Sequence, residues 1–170
     1  MPFSTAAVAV VIGQGERGDE ELLLIRRSES IADPWSGHVA LPGGRVEPGD
    51  GSFRETAARE TREEVGIDLT KGRFLGYMGE FHARTREVKV VPSVFKLEGS
   101  PGVILNREVA SYKWVPLHAL TNPGNRSSHF VTWRGVEHEF PAYEVGDYHI
   151  WGVTERILST LVEGLRDETD

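Results

Sequence analysis

A chain of 170 residues, 39% apolar and 26% charged, suits one globular domain able to bury most of the surface its unfolded form exposes, so residues 1–170 are read as a single domain. The absence of cysteine excludes disulfide frameworks, thiolate zinc sites and cysteine nucleophiles, and fits a cytoplasmic protein. A net charge of −7 argues against a nucleic-acid partner, whose phosphates demand clustered lysine and arginine.

Ala6–Ile12 is an apolar run without a basic leader and far too short to cross a bilayer, so it reads as a buried strand rather than a targeting or membrane segment. With Glu21–Arg26 it frames a turn over Gly13–Asp19, a probable hairpin. Ser28–Ser36 is a polar loop, His38–Leu41 a short extended stretch, and Pro42-Gly43-Gly44 breaks it. After a second loop at Glu47–Gly51, Ser52 and Glu55 match a capping box, and the helix they open runs from Phe53 to Val65 and stops at Gly66. Arg73–Phe81, Val88–Leu97 and Val109–Val115 are strand-like, and His129–Trp133 with Val136–Phe140 flank Arg134-Gly135 as a hairpin. Trp151–Leu165 is an amphipathic helix with Ile157, Leu158, Leu161 and Leu165 on its apolar side. This order predicts a mixed sheet between helices.

The unusual element is the helix at Arg59-Glu60-Thr61-Arg62-Glu63-Glu64-Val65. Exposed helical glutamates are normally interleaved with lysines at i,i+4, whereas Glu60, Glu63 and Glu64 crowd one arc beside the packing face of Phe53, Ala57, Thr61 and Val65. Like charges gathered in this way are stabilised by a cation. An all-oxygen donor set that converges beyond a helix suits magnesium, which keeps several waters and shares its shell with substrate phosphates.

These residues resemble the Nudix box. Gly44, five residues, Asp50, eight residues, then Arg59-Glu60-Thr61-Arg62-Glu63-Glu64-Val65-Gly66-Ile67 follows that signature. It departs from it in carrying Asp50 for glutamate, one extra residue before Arg59, and Thr61 for an aliphatic residue. The resemblance implies an α/β fold, a Nudix-type α/β/α sandwich with a mixed β-sheet. It also implies hydrolysis of a nucleoside diphosphate linked to another moiety, with magnesium or manganese as cofactor and a small nucleotide as substrate. Glu60, Glu63 and Glu64 would hold the metal, a backbone carbonyl near Gly43 would complete the shell, and Arg59 would orient the ligands. Homodimers are frequent in the family, although no residue pattern here requires one. A nucleotide-binding module without turnover is the reading from a different class, and retention of all three box glutamates disfavours it.

Leu22–Ser28 and Ser36–Gly44 upstream, with Pro141-Ala142-Tyr143 and His149–Leu158 near the end, resemble the coenzyme A pyrophosphatase-like branch. The branch carries a threonine near Ile25, an arginine near Asp33 and a phenylalanine at Leu41, which this chain lacks. The resemblance implies coenzyme A as the leading substrate against these departures, with ADP-ribose or another ADP-linked metabolite the runner-up.

Beyond the box, Arg26 and Arg27 end an apolar strand that leads to the site, and strand alternation sends them to opposite faces, so one of the two is placed to grip phosphate. His38 lies near the glycine turn within reach of substrate, and Trp35 in the loop before it could stack on an adenine. Glu108 precedes a strand from which some family members recruit an additional carboxylate. The general base stays open among Glu63, Glu60 and Glu108. Arg84 and Arg86 are weaker candidates for a phosphate contact, and Trp114, Trp133 and Trp151 read as core.

Overall fold

The computed structural model describes residues 4–33, 36–83 and 87–169, with side chains to residue 166. Trp35, Arg84 and Arg86 lie outside the described residues.

The elements in chain order are β1 Ser4–Gln14, β2 Glu20–Arg27, β3 Val39–Ala40, β4 Gly43–Arg45 and α1 Phe53–Val65. Then follow β5 Arg73–Tyr77, β6 Phe81–His82, β7 Val88–Lys96, β8 Val109–Pro116 and α2 Leu117–Thr121. The chain continues through β9 Arg126–Trp133, β10 Val136–Val145, β11 Tyr148–Trp151 and α3 Val153–Thr169.

The central sheet runs β3-β2-β1-β7-β5, with β4 on β1, β6 on β7 and β8 on β2. Among the described residues its one parallel pairing joins β1 to β7, in register from Ser4 opposite Val88 to Ile12 opposite Lys96, and the other pairings are antiparallel, so the sheet is mixed as expected. Because β1 is covered on both faces, its sequence is apolar at nearly every position rather than at alternate ones. Alternation still sorts the side chains. Ala7, Ala9 and Val11 join Leu23, Ile25, Ala57, Val65 and Phe95 under α1. Val10 and Ile12 face the opposite side, with Leu22, Leu24, Tyr148, Ile150, Ile157, Leu158 and Val162. The result is an α/β/α sandwich, with a three-stranded sheet, β11-β10-β9, on the α3 side.

α1 has the predicted bounds. Ser52 Oγ accepts from Glu55 N at 3.2 Å, and Gly66 (φ 73°) closes the helix by donating from N to Arg62 O. The Glu55 carboxylate does not complete the box on Ser52 but accepts from Gly51 N at 2.6 Å. Thr61, fully buried where the signature has an aliphatic residue, satisfies its hydroxyl by donating to Ala57 O at 2.7 Å.

Several expectations change. The strand predicted over Arg73–Phe81 divides into β5 and β6, since Gly76 (φ 136°) accompanies a register shift and Gly79 (φ 90°) turns the chain. The hairpin is longer on both arms than predicted, and its turn residues Arg134 (φ 51°) and Gly135 (φ 75°) are both left-handed, which matches the twist of the flanking strands. Trp151 ends β11 rather than opening a helix, because Gly152 (φ 75°) separates β11 from α3. Trp133 is not core either, being 62% exposed at the hairpin tip, and Trp151 is only half-buried.

Candidate active site

Two glycines bring α1 against the sheet. β4 pairs with β1 so closely that a Cβ on Gly43 would stand 2.4 Å from Ala7 O and 2.6 Å from Val8 Cα. A Cβ on Gly44 would lie 2.6 Å from the carboxyl carbon of Glu60. The backbone of β4 thus takes the space that side chains would fill, and the helix carboxylates rest on it.

Glu64 is the deepest of the three. Its side chain is 1% exposed, Oε1 accepts from Gly43 N at 2.8 Å, and Oε2 lies 3.8 Å from Arg27 Nη1. Burial pushes its pKa up to about 8, the charges of Glu60 and Glu108 push the same way, and the Gly43 N–H and Arg27 oppose them. Burial likewise raises Glu60, against the pull of Arg59, with Glu63 and Glu108 adding to the rise. A buried carboxylate, Glu64, beside the partly buried Glu60 is a donor set that suits a hard divalent cation.

Arg59 is the hub. Its Nε donates to Asp50 Oδ1 at 3.0 Å and its Nη2 to Oδ2 at 2.9 Å, a two-pronged grip, while Nη1 donates to Glu60 Oε1 at 2.9 Å. The same Nη1 stands 3.7 Å from both Glu63 and Glu47 carboxylates. Asp50 also accepts from Glu47 N and Thr56 Oγ1, and the Arg59 guanidinium holds its carboxyl well below the usual range.

The predicted convergence of the glutamates takes a different form here. Glu60 is drawn to Arg59, Glu64 to the Gly43 N–H, and the Glu63 side chain is 55% exposed. Among the described residues no three acidic or histidine side chains form a ready-made metal cluster. Gly43 contributes its backbone N–H to the grouping. Glu108 is brought to the cluster: its carboxylate acts on both Glu60 and Glu64, and its carbonyl accepts from Ser28 N.

The two strand-end arginines part as alternation requires. Arg27 turns toward Glu64 and pairs with Asp33 at 2.7 Å. Arg26 turns the other way, donating to Asp147 O at 2.6 Å and lying over the Tyr148 ring at 4.8 Å. His38 sits beside Arg26 in a cleft closed by Trp151, and burial lowers its pKa. Sequence reasoning missed the roles of Asp50, Asp33 and Asp147, and the histidines at 129 and 149. Only Asp50 left a trace, in its spacing from Gly44. Asp147 is separated from Arg26 by 121 residues, so nothing local pairs them.

Comparison with known proteins agrees with this architecture. The NUDIX domain profile matches residues 3–133. Nudix hydrolase 22, chloroplastic, of Arabidopsis thaliana is 32% identical over 90% of the chain, and the chain spans about half (52%) of that relative's length. The uncharacterized Nudix hydrolase NudL of Photorhabdus laumondii is 33% identical, with 84% of this chain and 75% of that protein aligned. The crystal structure of the MutT protein from Methanosarcina mazei Go1 superposes with a TM-score of 0.54 at 35% identity, covering 71% of this chain and 83% of that one. Among the described residues no helix is long and apolar enough to cross a membrane.

Proposed function

This chain belongs to the NUDIX domain family, and we propose that it hydrolyses the pyrophosphate bond of a nucleoside diphosphate linked to another moiety, with coenzyme A or a derivative as substrate. The observation that carries this reading is Glu64, a carboxylate buried against the Gly43 N–H with Glu60 and Glu108 close enough to raise its pKa. Acidic groups are not assembled in such a place for stability.

In this reading Glu60, Glu63 and Glu64 would hold magnesium or manganese, which when bound would supply charge neutralisation for the pyrophosphate and a water of lowered pKa. The chain's own residues do the rest. Arg59, clamped by Asp50, fixes the position of Glu60, and the Gly43 N–H fixes Glu64. Arg27 projects a cationic edge at the same carboxylate and is the better placed of the two strand-end arginines to meet a phosphate oxygen, since Arg26 turns to the opposite face of β2. The proton acceptor is one of Glu63, Glu60 and Glu108, all of which border the cluster. The chain works as a single domain on a small-molecule substrate.

Coenzyme A, ADP-ribose, NADH and diadenosine polyphosphates should be incubated with the purified protein and magnesium and the products separated by chromatography. Adenosine 3′,5′-bisphosphate formed from coenzyme A is the expected outcome. Preference for another ADP-linked compound would retire coenzyme A, and no turnover with magnesium or manganese would overturn the hydrolase reading in favour of a binding module.

A further inference from the structure

The ribbon of β9 and β10 outruns the rest of its sheet. β11 pairs only with Ala142–Val145, so the stretch from His129 to Phe140 is two-stranded. By strand alternation Trp133 and Val136 stand on one face of it and Phe130 on the other, and all three are more than half exposed. A two-stranded ribbon open on both faces is marginal in water, and further strands stabilise it.

The two long edges of this ribbon differ. The left-handed Arg134-Gly135 turn closes on a pair, Trp133 and Val136, that exchanges both backbone bonds. His129 and Val131 therefore turn their N–H and C=O groups toward β10, and Ser128, Phe130 and Thr132 turn theirs outward. Arg126 keeps the same alternation, since its N–H leaves the hairpin for Pro123 O. On β10 the outward positions are Glu137, Glu139 and Pro141, two charges and a residue without an N–H, which are devices that keep an edge from pairing. β9 carries none of them. Its register runs unbroken from Trp133 to Arg126, its sole charge is Arg126 at the end next to the body, and among the described residues it pairs with β10 alone.

Charge selects the occupant of that edge. The chain carries a net −7, yet between Arg126 and Phe140 two arginines, Arg126 and Arg134, balance Glu137 and Glu139. A second copy can therefore meet this arm without the repulsion that its net charge would otherwise bring. Antiparallel pairing of a strand with itself about a two-fold axis preserves the side-chain faces when one residue lies opposite its own copy. Two centres engage the whole strand. Phe130 on the axis would set Arg126 opposite Arg134, like against like, whereas His129 on the axis sets Arg126 opposite Thr132 and Ser128 opposite Phe130. His129 is also held in place, stacked on Trp151 with ring centroids 3.8 Å apart and bonded through Nδ1 to His149 Nε2 at 2.9 Å.

We propose that β9 pairs antiparallel with β9 of a second copy about a two-fold axis at His129, making one continuous six-stranded sheet. Each hairpin tip then lies along the base of the other arm, which supplies the strands that the isolated ribbon lacks. Two eight-residue edges with the aromatic side chains beside them cover on the order of 1,000 Å², the size of a reversible interface rather than an obligate one. This dimer stands apart from the hydrolytic reading and does not depend on it.

Sedimentation equilibrium of the full chain should give the 18.9 kDa monomer at low micromolar concentration and twice that mass at several hundred micromolar. Thr132→Pro removes an outward N–H without breaking a bond to β10, so it should leave a monomer with native circular dichroism. Phe130→Lys should weaken association at least about tenfold. Because the chain has no cysteine, His129→Cys should form a disulfide-linked dimer under oxidised glutathione, while Val131→Cys, away from the axis, should not. A monomer at every concentration, a dimer that persists in Thr132→Pro, or cross-linking of Val131→Cys as readily as of His129→Cys would each overturn the proposal.

Discussion

Gly43 N donates to Glu64 Oε1 at 2.8 Å, and that bond ties the start of β4 to the last turn of α1. The donor is fixed in the sheet and the acceptor rises from the helix, so backbone aims one carboxylate oxygen while Arg27 faces the other.

Glu64→Gln should leave this bond in place, because the amide oxygen can still accept, and it keeps the side chain in the uncharged form that burial favours. The melting temperature at pH 7 should hold or rise. Turnover should fall by about 10²-fold or more, the scale for a lost transition-state-stabilising group. Activity within a factor of a few of the parent would contradict the placement of the metal on Glu64.

Arg59→Ala strips the buried Asp50 carboxylate of its two-pronged partner and frees Glu60. Urea unfolding should report a loss of about 1–2 kcal/mol, moderated because Arg59 itself is partly exposed. The magnesium concentration for half-maximal rate should rise. Arg59→Lys should recover little, since an ammonium cannot reproduce the guanidinium fork.

The same pair sets an acid limit. Asp50 has a folded pKa below its unfolded value of about 3.9, so its contribution is complete above that value. It is lost as pH falls toward the folded pKa. Thermal unfolding between pH 7 and pH 2 should therefore show stability falling from about pH 4 downward, and Asp50→Asn should flatten that fall while lowering stability at pH 7. An unchanged acid slope in Asp50→Asn would assign the loss to other carboxylates.

Gly43 and Gly44 should fail in different ways. In Gly43→Ala the added methyl meets strand backbone, Ala7 O and Val8 Cα, which cannot yield, and the protein should melt at lower temperature or fail to fold. In Gly44→Ala it meets the end of the Glu60 side chain, which can swing away. Circular dichroism should then be native, with metal dependence impaired. Equal melting temperatures for the two variants would contradict this division.

What the sequence made readable was local. Ser52 and Gly66 bounded α1 because caps act within a few residues, and the spacing of Gly44, Arg59 and the glutamates marked the carboxylate cluster before any coordinates. The split of β5 from β6 was hidden, since Gly76 and Gly79 interrupt a run whose apolar pattern continues. The cleft around Trp151 was hidden for another reason. Its walls come from β2, β3, β9 and β11, and only tertiary folding places His38 beside His129 and Arg26 beside Asp147. Thr61 shows the limit from the other side: a polar residue on the packing face looked like a defect in the signature, and its bond to Ala57 O makes it compatible with burial.

The lone parallel pairing has a kinetic consequence. β1 is central, yet its whole edge from Ser4 to Ile12 waits for Val88–Lys96, which follows on the chain only after β2 to β6. Until then, a Val- and Ala-rich strand keeps one row of amides and carbonyls open to other chains. During synthesis or refolding, the interval before β7 docks is when self-association competes with folding, so yield should depend more on protein concentration and temperature than the stability of the finished domain would suggest.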